Sequence, residues 1–219
     1  SIKFDISNST EEPEHILFHA ENIPLLFYKI ADKMLPNNAL LDFLNSSVKN
    51  GYIKNADFNI RLGANYSLEN NLSGTAKILK LDYSYDEKFP TLKSMDVDVT
   101  LRGAKTQFKI NSAYSSEILL SEGVIDMDWQ GLDNTTLYIK AIGNGPTKSL
   151  TDFIPLTEHE SMNKANIDLR KIKGTTSAKV YIEIPLKPGT KNIYDIRAEI
   201  PNASLNIFKN HVKLSRAKI

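Results

Sequence analysis

The sequence predicts a mainly β protein, built on a curved antiparallel sheet that forms an open groove and carries a few short helices. The first observation is an alternation of apolar and polar residues along 52–101, which places the two kinds of side chain on opposite faces of strands. The second is the return of this pattern 122 residues further along the chain. The third is a shortage of bulky apolar segments outside the strands, so that little is left to cover the apolar face of the sheet.

The first 50 residues combine one short strand with two predicted helices. Residues 2–6 alternate briefly and predict a strand. Apolar residues then recur at helical spacing over 16–35, which predicts a helix that Pro36 interrupts. A second helix, capped by an asparagine just after Pro36, is expected to carry Val48 and to end near Gly51.

Six strands are predicted after these helices. A parity slip between Ala76 and Tyr83 indicates a β-bulge, and the sequence around Gly103 is typical of a tight hairpin. The sequence GNGP at 143–146 is expected to end the last strand, and a short helical segment is expected at 149–154. Residues 158–172 carry only a weak helical pattern. We place the strands at 52–64, 72–85, 93–102, 105–114, 117–129 and 135–142.

The pattern of the first predicted strand recurs late in the chain. At the same offset, Ala76 corresponds to Ala198. Strands repeated on one continuing sheet indicate an extended structure. We therefore expect the end of a preceding module at 1–50, a central five-strand module with a crossing segment at 51–156, and the start of a following module at 157–219, all in one elongated structure. The matching apolar positions are Ala56, Phe58, Ile60 and Leu62 in the first copy, and Ala178, Val180, Ile182 and Ile184 in the second.

Composition excludes several classes of protein. Apolar residues make up 41% of the chain and charged residues 24%, as in globular proteins. The formal net charge of +1 argues against a dedicated nucleic-acid binder. The absence of cysteine excludes disulfides and thiolate chemistry. No apolar run approaches the roughly 18–20 residues that span a bilayer. Since the chain begins at Ser1 and ends in a predicted strand, we expect it to be a piece of a longer protein.

The search for catalytic groups is mostly negative. His15 and His19 would share one face of a helix, as metal ligands can, but a polar helix end is the simpler interpretation. Asp96 and Asp98, like the pair at 126 and 128, alternate with apolar residues, which favours the solvated face of a strand over an acid/base or metal pair. Sequence motifs of hydrolases, phosphate-binding loops and zinc proteases are absent. We expect no enzyme, no catalytic residue, no bound metal and no cofactor.

The apolar face is the remaining candidate site. It could be the core of a closed β-sandwich, or an open surface that binds something apolar, because large exposed apolar surfaces on soluble proteins mark binding sites. Strand parity predicts that the following residues line it: Phe58, Ile60, Leu62, Ile78, Leu81, Met95, Val97, Val99, Leu101, Phe108, Ile110, Ile118, Leu120, Ile125, Met127, Leu137, Ile139, Val180, Ile182 and Ile184.

Two stretches resemble a known family. These are LPNNALLDFLNSSVKNGYIKNADFNIRLGAN at 35–65 and TAKILKLDYSYDEKFPTLKSMDVDVTLRGAKTQFKI at 75–110. A Leu-Pro opening, a short amphipathic helix and alternating strands over roughly 35–155 resemble the AsmA-like proteins, particularly their YhdP-type central region. That family is similar to the bridge-like lipid-transfer proteins, which are built of repeating β-groove modules. The resemblance implies that 135–155 crosses back over the groove.

The resemblance also implies a function and a location. It implies phospholipid transport between the inner and outer membranes of a Gram-negative envelope, through a hydrophobic groove in the periplasm. The chain would belong to an inner-membrane-anchored protein and reach the membrane through parts that are not in this sequence. The expected partner is the acyl chain of a phospholipid, and no nucleic acid is expected. The alternatives are a closed β-sandwich with a structural or adhesive role and no lipid ligand, and an enzyme that uses the aspartate pairs or the two histidines.

Overall fold

The protein forms one large antiparallel sheet in a computed structural model. The structure describes residues 1–7, 15–25, 45–61, 71–84, 87, 89–128, 135–153, 173–187, 189–201, 204–207, 210–213 and 216–218. Eleven strands join in the order β1-β2-β3-β4-β5-β6-β7-β8-β9-β10-β13, and β11 pairs with β12 separately. The strands are β1 Ile2–Ser7, β2 His15–Pro24, β3 Val48–Arg61, β4 Leu72–Tyr83, β5 Leu92–Arg102, β6 Lys105–Ser115, β7 Ile118–Asp128, β8 Thr136–Pro146, β9 Thr175–Pro185, β10 Ile193–Pro201, β11 Ser204–Ile207, β12 Asn210–Lys213 and β13 Arg216–Lys218.

The predicted fold class is confirmed: the protein is mainly β, and its antiparallel sheet is not closed. Each strand from β2 to β10 pairs with the strand before it in the chain. Within the described residues β1 pairs with β2 alone, so the sheet begins at β1 and ends at β13. The six strands predicted between 52 and 142 are all present, with ends that differ by a few residues.

Two local features of these strands are also confirmed. The β4–β5 register shifts between Ile78 and Leu81, where Lys80 has a φ of 54°. This is the predicted bulge, and bulges bend a strand and increase its twist. The β5–β6 hairpin turns at Gly103, whose φ of 58° a glycine adopts without steric cost.

The predictions for the first 50 residues are partly wrong. The predicted helix at 16–35 is a strand from His15 to Pro24, because Ile16, Phe18 and Ala20 alternate and face the apolar neighbours on β3. Residues 45–47 of the second predicted helix are helical, as predicted, but the helix ends earlier than expected, because the strand β3 begins at Val48 and continues through Gly51. The rest of both predicted helices, like 158–172, lies outside the described residues.

The predicted crossing segment at 135–155 is also wrong over most of its length. Residues Thr136–Pro146 form β8, which lies in the sheet between β7 and β9. The GNGP sequence does not end the strand. A Cβ at Gly145 would lie 2.8 Å from the Glu117 carbonyl oxygen, so a residue with a side chain would clash at this position. Glycine therefore lets β8 pass close to the β6–β7 turn. A 3-10 helix at Thr147–Phe153 follows and confirms the short helical segment.

The sheet curls towards one face. Phe89, in the β4–β5 connection, contacts Tyr194 on β10 with ring centroids 5.0 Å apart. Five strand-to-strand steps separate β5 from β10, which is about 24 Å in a flat sheet at roughly 4.8 Å per step. The two rings meet because the sheet curves and the connection reaches over its face. That face is therefore concave.

The β3–β4 and β9–β10 hairpins share one register. Ala56 pairs with Ala76, and Ala178 pairs with Ala198, so both partners are shifted by the same 122 residues. The outermost matched pair, Ile60 with Leu72, corresponds in the same way to Ile182 with Tyr194. The repeat in the sequence is thus a repeat in strand pairing. The preceding strands correspond as well, because β2 pairs antiparallel with β3 as β8 does with β9, and Ala20 lies opposite Ala56 as Gly143 lies opposite Ala178.

Candidate functional site

The concave face is lined by side chains in continuous cross-strand rows. Directly paired residues of an antiparallel sheet lie on the same face. Strand pairing therefore aligns residues that are far apart in the chain. The central row contains Ala20, Ala56, Ala76, Val99, Phe108, Ile125, Ile139, Ile182 and Tyr194. On one side runs a row of Phe18, Phe58, Gly74, Leu101, Thr106, Met127, Leu137 and Ile184; on the other runs a row of Ile23, Ile53, Ile78, Val97, Ile110, Gly123, Ala141 and Val180.

These rows bring together the residues predicted to line the apolar face. All of them except Leu62, which lies outside the described residues, belong to the rows or to the positions that continue them. The continuing positions are Ile60, which pairs with Ile16 and Leu72; Leu81, which pairs with Met95; and Leu120 and Ile118, which pair with Ala113 and Ser115. The parity pattern thus identified one face of one sheet.

Several concave residues were not predicted. Phe18 was missed because its segment was assigned to a helix, although Ile16, Phe18 and Ala20 alternate. Its ring stacks on Phe58 with centroids 6.1 Å apart. Phe89 and Tyr194 were missed because a contact between a connection and a distant strand leaves no periodic signal.

Exposure varies along the strands. Met95 and Val97 are each only 1% exposed, and Ile110 and Leu137 only 2%. Phe58 is half-buried and lies at one end of the rows. The concave face is therefore covered in its middle and more accessible at this end.

Two shallow cavities lie on the face opposite the apolar rows. One, of about 490 Å³, is lined mainly by side chains of β1–β4 that alternate with the concave residues, such as Lys3, His19 and Asp57. The other, of about 540 Å³, is lined mainly by polar side chains of β5–β8, such as Arg102 and Asp126. Neither cavity is a part of the concave face.

The opposite face is convex and polar. On it, Asn111 Nδ2 donates hydrogen bonds to Asp98 Oδ2 at 2.7 Å and to Asp96 Oδ1 at 3.1 Å. Lys77 Nζ lies 3.0 Å from Asp98 Oδ1 and forms an ion pair with Asp96 as well. The prediction that this aspartate pair lies on the solvated face is confirmed.

Electrostatics within this cluster favour the charged forms. The hydrogen bond from Asn111 lowers the pKa of Asp98 against the effect of desolvation, and Lys77 lowers it further. Desolvation would lower the pKa of Lys77, but its hydrogen bonds to Asp96 and Asp98 outweigh it, so that the pKa is raised. A carboxylate held ionised by a lysine serves solubility better than proton transfer at neutral pH.

The two histidines lie on a strand and not on the expected helix. On β2 they point to the convex face, where His15 Nδ1 lies 3.0 Å from Asn59 Oδ1 and His19 Nδ1 lies 2.7 Å from Asp57 Oδ1. The hydrogen bond to Asp57 raises the pKa of His19. In the part of the chain that the structure describes, no group of three or more His, Asp and Glu side chains is placed to hold a metal ion.

Comparisons with known proteins identify no relative. No protein-family model, no curated protein and no solved structure matches this chain. In addition, none of the described helices is long and apolar enough to cross a bilayer. The chemistry of the two faces is then the observation from which a function can be inferred.

Proposed function

We propose that this chain binds the acyl chains of phospholipid on its concave face, as one section of a hydrophobic groove through which lipid passes between inner and outer membranes. The observation that supports this most is the continuous apolar lining from β2 to β10 on a sheet that remains open. An acyl chain needs apolar contact along its length and no specific polar partner. A polar convex face keeps such a sheet in water.

The location is part of the same proposal. The resemblance of 35–155 to the AsmA-like proteins supports a periplasmic location within a protein anchored in the inner membrane. In that setting the residues of this chain act without catalysis.

The energetics of acyl-chain burial suit this role. Each buried methylene contributes about 0.8 kcal/mol, so ten of them contribute about 8 kcal/mol. Part of this free energy offsets the cost of moving the side chains that cover the middle of the concave face. The headgroup stays in water at the accessible end of the face, near the half-buried Phe18 and Phe58.

A second candidate is a structural or adhesive domain without a lipid ligand. It is favoured by the near-complete burial of Met95, Val97 and Ile110. Side chains this well covered form a core in ordinary β proteins. The two functions differ in whether an acyl chain can bind to the concave face.

Binding of a fluorescent phospholipid to delipidated protein separates the two. We expect saturable binding, with a fluorescence change that an unlabelled phospholipid competes away. Folded protein, verified by circular dichroism, that shows no saturable binding would support the structural domain instead.

A matched pair of substitutions on β6 tests the face itself. Phe108 is half-buried on the concave face, whereas Tyr114 is 51% exposed on the convex face. Phe108→Asp places a carboxylate against the acyl chain and should weaken binding about tenfold or more, since each 1.4 kcal/mol of lost binding energy is a factor of ten. Tyr114→Asp should leave the affinity unchanged. Equal effects of both changes would place the lipid elsewhere.

A further inference from the structure

The β4–β5 connection bridges the two sides of the concave face. Its Phe89 is only 7% exposed and packs against Tyr194, with an angle of 50° between the rings. Phe89 extends from the side of the sheet formed by β4 and β5, and Tyr194 belongs to the side formed by β9 and β10. The strands β6–β8 form the floor between them.

Both ends of this connection are tied to the sheet. The Ser84 amide donates a hydrogen bond of 2.8 Å to the Ser47 carbonyl oxygen. At the other end, the fully buried Ser115 hydroxyl donates to the Pro90 carbonyl oxygen at 3.2 Å. The connection is therefore anchored at its base, and Phe89 lies between the anchors.

The opposite side carries Tyr194 on β10. β13 pairs with β10 along Glu199–Pro201, so within the described chain Tyr194 lies on a part of β10 that has a strand on one side, β9. The equivalent residue of the first hairpin, Leu72, lies on β4, which is paired on both sides by β3 and β5. Asn192 Nδ2 donates a 2.9 Å hydrogen bond to the Tyr194 hydroxyl and orients the ring.

We propose that the Phe89–Tyr194 pair is a latch that controls entry of acyl chains into the concave face. While the rings are in contact, the two sides of the face stay closed over its buried middle. When β10 moves away from Phe89, the buried middle of the concave face becomes accessible to an acyl chain. This inference rests on the proposed function and adds its regulation.

Crosslinking across the latch gives a direct test. The chain has no cysteine, so Phe89→Cys with Tyr194→Cys creates the sole thiol pair, which a short thiol-cleavable bis-maleimide can join. Uptake of fluorescent phospholipid should become at least about tenfold slower after crosslinking, because the acyl chain can enter only when the two sides of the concave face separate. The rate should recover when the crosslink is cleaved by a reducing thiol. The control pair is Lys93→Cys with Tyr114→Cys, which are opposite each other on the convex face; its crosslink should not change uptake.

A second measurement is independent of lipid. Val97 is almost fully buried on the concave face, so a thiol at Val97→Cys should react slowly with a soluble thiol reagent. Adding Phe89→Ala should accelerate labelling about tenfold, the factor that the loss of one aromatic pair can supply. Adding Tyr114→Ala in its place should have no effect.

The outcomes separate the latch from the proposed function. Uptake that is unchanged by the crosslink, in protein that does take up phospholipid, overturns the latch alone. Faster labelling with Phe89→Ala in protein that takes up no phospholipid overturns the proposed function and supports the ring pair as the closure of this face. Labelling that Phe89→Ala does not change overturns the latch in either case.

Discussion

The β3–β4 and β9–β10 hairpins pair in the same register but differ in their side chains. Both place an alanine pair on the concave face, at Ala56–Ala76 and at Ala178–Ala198. Gly74 in the first hairpin corresponds to Ile196 in the second, and Asp57 corresponds to Lys179. Within the matched stretch both pairings are regular, and the register shifts of the first hairpin lie outside it, between Val48 and Asn55.

The difference shows which part of the repeat the fold requires. The register and the small concave residues recur, because a curling sheet brings concave side chains close together and alanine takes up little space. Charge on the convex face is free to change, since water solvates either sign. The two hairpins therefore share their strand register and differ in the charge of their convex face.

The largest expected effect tests whether both alanine pairs are equally enclosed. Ala56 is 0% exposed and Ala178 is 3% exposed. Ala56→Asp and Ala178→Asp should each lower the free energy of unfolding by about 3–5 kcal/mol, because an unpaired charge becomes buried. Urea titrations followed by circular dichroism would measure this. The exposed neighbours supply the matched controls, Asn55→Asp and Ser177→Asp, which should change it by about 0.5 kcal/mol or less. A well-tolerated Ala178→Asp would show that the second hairpin is not packed like the first.

An intermediate effect is expected at Gly74, where the hairpins differ. A Cβ there would lie 2.3 Å from the Asp57 carbonyl oxygen and 2.3 Å from Phe58 Cδ1. Because a backbone atom must shift, Gly74→Ala should destabilise the protein by about 1–3 kcal/mol in the same titration. The exposed neighbour gives the control, Thr75→Ala. Stability equal to that of the control would mean that the strands accommodate a Cβ at this position without cost.

The smallest expected effect is a pH dependence of the stability that involves the first hairpin. The second hairpin lacks it, because Lys179 occupies the position that corresponds to Asp57. The hydrogen bond to Asp57 raises the pKa of His19 in the folded protein. The stabilisation is therefore complete below the unfolded value of about 6.5 and is lost as the pH rises through the raised pKa. His19→Gln should lower the urea midpoint at pH 5 but not at pH 9. In the Asp57→Asn background that difference between the two pH values should vanish; if it persists, Asp57 is not its cause.

Much of the sheet could be predicted from the sequence because alternation is a local signal. The strands from β3 to β8 and the bulge near Lys80 follow from it directly. β2 was missed because Leu17, which points to the convex face and is 44% exposed, breaks the apolar alternation and gives the segment a helical spacing. The extension of β8 through Gly145 was missed because only the neighbouring turn shows why glycines are needed there.

The sequence could predict which residues line the concave face, but not how strongly the sheet curves around it. Parity identifies which side chains share the concave surface, since that depends on neighbours two residues apart. How far the sheet curls, and that Phe89 meets Tyr194, depends on twist accumulated over many strands. Such long-range geometry has no counterpart in a short window of sequence.

The order of the strands has a consequence for how this chain folds. From β1 to β10 each strand pairs with the one made just before it, so the sheet can grow by adding one hairpin partner at a time. Short sequence separation between contacting strands keeps the loop-closure entropy small and favours fast folding for an all-β protein. A nascent chain could assemble the sheet in the order of its synthesis, with a growing edge that accepts each new strand.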